Sequence, residues 1–141
     1  MSRLVVDTSV LIRILDRAYT PPSEFAKYDE LLIPSVVIGE YRAGLMLLSR
    51  GPRLMEALLS YLRKSSVRVV PVGERTAEMY AKVYQALRAQ GRPIPQNDMW
   101  IAAAALEQGA DIATHDEHFR CVPMLTVIVP RVDLVDCRNG M

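Results

Sequence analysis

Four acidic residues, Asp7, Glu40, Asp98 and Asp116, stand where ligands for a hard cation would be expected. Asp7 ends the apolar run Leu4-Val5-Val6, and Glu40 lies within the first two turns of the helix predicted after Leu31-Leu32-Ile33. Asp98 opens the apolar stretch from Met99 to Leu106, and Asp116 follows the strand predicted over 111–114. Apolar neighbours (Val6, Ile38, Trp100, Ile112) put all four at the border of the core, where a carboxylate is costly unless paired or metal-bound. Two carboxylates about 5 Å apart repel by roughly 3 kcal/mol at an effective dielectric of 20. Arg42, two positions along a helix from Glu40, should point elsewhere. No obvious set of buried cations is at hand to neutralise four acids. A divalent ion such as Mg²⁺ or Mn²⁺ resolves the conflict, because these ions prefer oxygen ligands. The chemistry such a site suits is phosphodiester hydrolysis, in which the metal activates water and shields the charge of the transition state.

Each acid also has a plainer reading. Asp98 would favour a helix N-terminus electrostatically, Asp7 and Asp116 would cap turns, and Glu40 would be a solvated surface acid. A helical ion pair does not explain Glu40, since the positions three and four further on are Ala43 and Gly44. The constellation says more than any member, because four independent accidents at one sheet edge are improbable. Competing chemistries lack their residues. His115 and His118 are the only histidines, too few for a zinc site or a nucleophilic triad. No glycine-rich phosphate loop is present, and Ser9 occupies the place where a dehalogenase-type phosphatase needs a second Asp.

The elements that must position these acids alternate along the chain. The β-branched run over 3–6 predicts a buried strand, with Thr8 or Ser9 capping the helix marked by Val10, Leu11, Ile14 and Leu15. A loop over 19–23 leads to a short helix near 24–28 and a second strand at 31–33. Ser35 reads as the N-cap of a helix running to about Ser49, Gly51-Pro52 breaks it, and a further helix carries Leu54, Leu58, Leu59 and Leu62. A third strand over 67–71 precedes a helix from Glu74 to Gln90 closed by Gly91. The stiff segment 92–96 delivers the chain to a helix beginning at Asn97-Asp98 and ended by Gly109. That helix is apolar almost all round, as a central buried helix should be. Strands over 111–114 and 126–129 flank a turn through His118 and Phe119. Short strands alternating with long helices predict a three-layer α/β/α sandwich on a central, mostly parallel sheet of about five strands. Ligands in such folds bind beyond the carboxyl ends of the strands.

Composition bounds the rest. The 141 residues, 50% hydrophobic with a formal net charge of +1, fit one domain spanning 1–141 and exclude disorder as the main description. The longest apolar run, Met99 to Leu106, is far short of the ~20 residues of a membrane span. Asp7 comes too early for a signal-peptide hydrophobic region. Two cysteines, Cys121 and Cys137, make no disulfide framework, which suits reduced thiols in a cytoplasm. Balanced charge argues neither for nor against nucleic acid.

The residues that carry these acids resemble a PIN domain, and within that superfamily the VapC-type toxins of toxin–antitoxin pairs. The matching pieces are Val5-Val6-Asp7-Thr8-Ser9-Val10-Leu11-Ile12, Ile33-Pro34-Ser35-Val36-Val37-Ile38-Gly39-Glu40, Asn97-Asp98-Met99-Trp100-Ile101-Ala102-Ala103 and Ile112-Ala113-Thr114-His115-Asp116-Glu117-His118-Phe119. The similarity covers nearly the whole chain, and its specificity lies in the order and spacing of motifs that are weak singly. The resemblance implies an Mg²⁺- or Mn²⁺-dependent endoribonuclease with Asp7, Glu40, Asp98 and Asp116 as its acidic quartet. It also implies supporting hydrogen bonds from Thr8 or Ser9 and from Thr114, with Asn97 steadying Asp98. Family resemblance further implies a homodimer and a cognate small antitoxin that covers the site. Arg13, Arg17, Arg42 and Arg92 are candidate phosphate contacts for an RNA substrate. Glu117 is either an extra acid or a solvated one. The alternative function is a catalytically inactive PIN-fold module that binds RNA or protein; an intact quartet favours cleavage.

Overall fold

Strand β1 (Arg3–Val6) is buried from Leu4 onward and forms the middle of the sheet. The computed structural model describes residues 1–16 and 23–130. Helix α1 (Thr8–Asp16) follows β1 directly, and β2 (Glu30–Pro34) pairs with β1 in parallel. Helices α2 (Ser35–Leu45) and α3 (Gly51–Leu62) lead to β3 (Val67–Val70), which pairs with β2. Helices α4 (Glu74–Gln90) and α5 (Gln96–Glu107) then carry the chain back across the sheet to β4 (Asp111–Ala113), on the far side of β1. Strand β5 (Val127–Ile128) completes the order β3-β2-β1-β4-β5, with every pairing parallel.

This order dictates the layers. Steps from β1 to β2 to β3 run one way and the step from β3 to β4 runs the other. Right-handed crossovers therefore place α1, α2 and α3 on one face and α4 and α5 on the opposite face. Contacts agree: α1 packs on α2 and α3, while α4 packs along α5, which lies against β1 and β4. Ile101 and Ala102 to Ala105 are all buried, the alanines letting α5 approach its neighbours closely. Tyr80 of α4 stacks on Trp100 of α5 with ring centroids 4.1 Å apart. The expected α/β/α sandwich is thus observed, and the chain departs in opposite directions from β1 and β4. A crevice opens at the carboxyl ends of those two strands.

Several boundaries differ from expectation. Ser35 is not an N-cap but the first helical residue of α2; Pro34, with φ −61°, precedes it and no side chain caps it. Helix α2 stops at Leu45, short of Ser49, because the chain must turn there to bring Gly51 against it. A Cβ on Gly51 would lie 2.2 Å from the Leu45 carbonyl oxygen. Gly51→Ala is accordingly expected to force the α2–α3 turn apart at a cost of about 1–3 kcal/mol, read as a lowered urea midpoint. An unchanged midpoint would show that the turn is not rigid. Helix α4 ends where predicted because Gly91 adopts a left-handed conformation, φ 64°. Arg17, Cys137 and most of the loop expected over 19–23 lie outside the described residues.

Candidate functional site

The crevice is assembled from the strand ends upward. Asp7 leaves β1 with its backbone N–H on the Ala113 carbonyl at 3.2 Å, which ties the ends of β1 and β4 together. Asp7 as a whole is 4% exposed. Oδ1 accepts from Ser9 Oγ at 2.6 Å and from the Val10 N–H at 3.1 Å, and the other oxygen accepts from Thr114 Oγ1. Asp7 therefore caps α1, as its plainer reading held, while remaining part of the crevice floor. Thr114, fully buried just beyond β4, links two acids: it donates to Asp7 and accepts the Asp116 N–H at 2.9 Å. Ser9 Oγ in turn accepts the His115 N–H at 3.1 Å.

Asp116 caps the 3-10 turn Glu117–Cys121 by accepting the His118 N–H at 3.0 Å, and buried Phe119 anchors that turn. His118 Nδ1 lies 3.0 Å from Asp116 Oδ1 and 3.4 Å from Asp98 Oδ2. Asp98 is the third residue of α5, since the helix starts at Gln96, one residue before the expected Asn97, with Pro95 at its N-cap position. Ligand atoms of Asp98, Asp116 and His118 all fall within 4.8 Å of one another. Glu40 reaches the crevice from α2, where its Oε1 accepts from Thr8 Oγ1 at 2.9 Å.

Electrostatics couple Asp98 to Asp116 and Glu40. Burial pushes the Asp98 carboxyl above its usual 3.8; the His118 hydrogen bond opposes this, and the negative charges of Asp116 and Glu40 add to the rise. Asp7 is also raised by burial, against the hydrogen bonds from Ser9, Thr114 and Val10 and the influence of His115. Burial and nearby Arg13 lower His115, whose buried Nε2 has no hydrogen-bond partner among the described residues. A carboxyl held above its unfolded pKa stabilises the fold fully below that unfolded value, and the contribution is lost as pH rises through the folded one. In metal-free protein, wild type should therefore lose stability relative to Asp98→Asn as pH rises above the usual carboxyl value of 3.8. Urea midpoints of the two proteins across that rise check this; a constant difference would count against burial of the charge.

The other candidates are less central. Asn97 is exposed, and no hydrogen bond among the described residues joins it to Asp98; Glu117 is exposed as well. Arg13 is half-buried on α1 near His115, and Arg42 is exposed on α2. Arg92 is exposed and lines a cavity of about 290 Å³ with Arg88, Ile94 and Met99, next along the chain from Asp98. His118 is the residue that sequence reasoning left unused. Its signal was a nitrogen donor two positions after Asp116, set aside because two histidines are too few for a zinc site or a nucleophilic triad. The donor set is several carboxylates and one imidazole around a partly buried crevice, which suits a divalent cation.

Known proteins resemble this chain in sequence and in fold. The PIN domain family model matches residues 4–124. Ribonuclease VapC4 of Mycobacterium tuberculosis (strain ATCC 25618 / H37Rv) is 32% identical over 89% of this chain and 95% of its own length. Among solved structures, VapBC-5 from Mycobacterium tuberculosis, a member of the VapBC family of toxin–antitoxin systems, is 28% identical. It matches with a TM-score of 0.68 over 94% of this chain and all of its own. VapBC2 from Rickettsia felis, bound to a DNA fragment from its promoter, shares the fold with a TM-score of 0.81 at 19% identity, over 92% of this chain and 99% of its own.

Proposed function

Since this chain belongs to the PIN-domain family and to its VapC branch, we propose that it is the ribonuclease toxin of a toxin–antitoxin pair. It hydrolyses RNA phosphodiester bonds with a divalent ion, Mg²⁺ or Mn²⁺, held by Asp7, Asp98 and Asp116 with Glu40 completing the cage. The observation that carries this reading is geometric: ligand atoms of Asp98, Asp116 and His118 lie within 4.8 Å of one another, Thr114 links Asp116 to Asp7, and Thr8 holds Glu40 at the same crevice. Acids far apart in sequence share one crevice and repel there, which a binding module without catalytic duty has little reason to maintain.

When bound, the ion supplies a water ionised near neutral pH and charge shielding for the phosphate. The chain's own groups set the stage for that chemistry. Ser9, Thr114 and the Val10 N–H fix the orientation of Asp7. Thr8 holds one oxygen of Glu40, and the other would take a proton from the attacking water. Because water attacks rather than the ribose 2′-hydroxyl, the products carry a 5′-phosphate and a 3′-hydroxyl. Arg13, Arg42 and Arg92 would contact RNA phosphates around the crevice. A small antitoxin would cover the site, the toxin would pair as a homodimer, and the setting would be the cytoplasm. Among the described residues no helix is long and apolar enough to cross a membrane.

The test is an RNA cleavage assay on antitoxin-free protein with Mg²⁺ or Mn²⁺ across structured RNAs. Cleavage lost in Asp7→Asn and Asp98→Asn supports the proposal. Activity persisting in both at the wild-type rate would assign it to a contaminant or to another site. A wild type inert toward the whole panel would favour the binding module.

A further inference from the structure

We propose that His118 is a nitrogen ligand of the divalent ion, which shifts this site's preference from Mg²⁺ towards first-row transition ions, Co²⁺ above Mn²⁺. The inference rests on the metal-dependent function proposed above and deepens it.

His118 Nδ1 lies 3.0 Å from Asp116 Oδ1 and 3.4 Å from Asp98 Oδ2, and the three donor atoms are mutually within 4.8 Å. Two donors on one edge of an octahedron with bonds of 2.0–2.1 Å stand about 3 Å apart, and opposite donors about 4 Å. Both spacings from His118 Nδ1 fall in that range, and the 4.8 Å bound on the whole set leaves only a small closing movement of the two carboxylates for one ion to meet all three groups. The imidazole is also well held. Its own N–H is bound to Asp116, and the next residue, Phe119, is fully buried. The His118 side chain is 52% exposed, at the solvent mouth through which an ion enters. Ligation through Nδ1 leaves the proton on Nε2.

Selectivity follows from donor chemistry. Mg²⁺ demands oxygen and keeps several waters, so an imidazole gives it little. Affinity of a mixed nitrogen and oxygen site rises from Mn²⁺ to Co²⁺, and imidazole is a good donor to the later ions. A set of acids alone would show this bias more weakly, since carboxylates suit Mg²⁺ and Mn²⁺ better than an imidazole does.

The experiment compares wild type with His118→Ala and His118→Gln, both at an exposed position. Binding of Mn²⁺, Co²⁺ and Mg²⁺ is measured by calorimetry, and Mn²⁺-loaded protein is examined by pulsed electron paramagnetic resonance. Both variants should lose at least about tenfold in Co²⁺ and Mn²⁺ affinity, the lower end of what loss of a mere outer-shell partner costs. Mg²⁺ affinity should stay within about twofold, since oxygen donors dominate its binding. Wild type should show ¹⁴N modulation from a coordinated imidazole, and the variants should not. Equal losses for Mg²⁺ and Co²⁺, or no nitrogen coupling in Mn²⁺-loaded wild type, would overturn the role of His118 while leaving the nuclease reading intact. A wild type that binds none of the three ions would overturn that reading, and this inference with it.

Discussion

Asp98→Asn is expected to cut RNA hydrolysis about a thousandfold while leaving the metal-free protein at least as stable as wild type. The catalytic loss follows from charge stabilisation worth several kcal/mol at a metal site, each 1.36 kcal/mol being a tenfold change in rate. The stability half weighs two opposed effects. As the third residue of α5, Asp98 gains about 0.3–1 kcal/mol from the helix dipole. Against this stand its burial, which outweighs the opposing His118 hydrogen bond, and the charge of Asp116, whose ligand atom is within 4.8 Å. At that separation an effective dielectric of 20 gives roughly 3 kcal/mol of repulsion. Even halved by the solvent that reaches Asp116, repulsion exceeds the dipole's contribution, so removing the charge relieves strain. Rates on a cleaved RNA and melting curves in chelator check both halves. A variant that keeps wild-type activity, or one that melts many degrees lower without metal, would return Asp98 to a helix-terminus role.

What the sequence disclosed followed how local each determinant was. Strand β1 and Asp7 were legible because a β-branched run ending in an acid needs no distant partner to be recognised. The bounds of α4 were legible because Gly91 supplies a left-handed stop within the chain itself. The end of α2 was not legible: it is set by the approach of Gly51 to the Leu45 carbonyl, a packing contact with no signature in the residues between. Asp98 was found, but one residue too early in its helix, because Gln96 after Pro95, rather than Asn97, opens α5. His118 shows the limit most clearly. Its meeting with Asp98 requires the turn after β4 to fold back over the start of α5, and periodicity does not report such a contact. Sheet order likewise came only from the structure, although it is what turns four separate acids into one crevice.

Adding Mn²⁺ or Mg²⁺ at about a hundred times its dissociation constant should stabilise the folded protein by about 2.7 kcal/mol. At about 3 °C per kcal/mol for a domain of this size, Tm should rise by roughly 8 °C. The physical source is specific. Folding gathers carboxylates whose mutual repulsion is relieved only when a cation binds among them, and the dispersed acids of the unfolded chain have no comparable affinity. Ionic strength alone acts differently, since salt screens exposed pairs but reaches buried ones far less. Sodium chloride at matched ionic strength should therefore reproduce little of the shift. Asp98→Asn, already relieved of one charge and short of one ligand, should begin at or above the wild-type Tm and respond less to either ion. Differential scanning calorimetry of both proteins with chelator, Mg²⁺, Mn²⁺ and matched sodium chloride separates the terms. If wild type and variant rise equally with either divalent ion, the ion binds elsewhere. If sodium chloride does as well as Mn²⁺, the crevice holds no ion, and its acids are joined only by the fold.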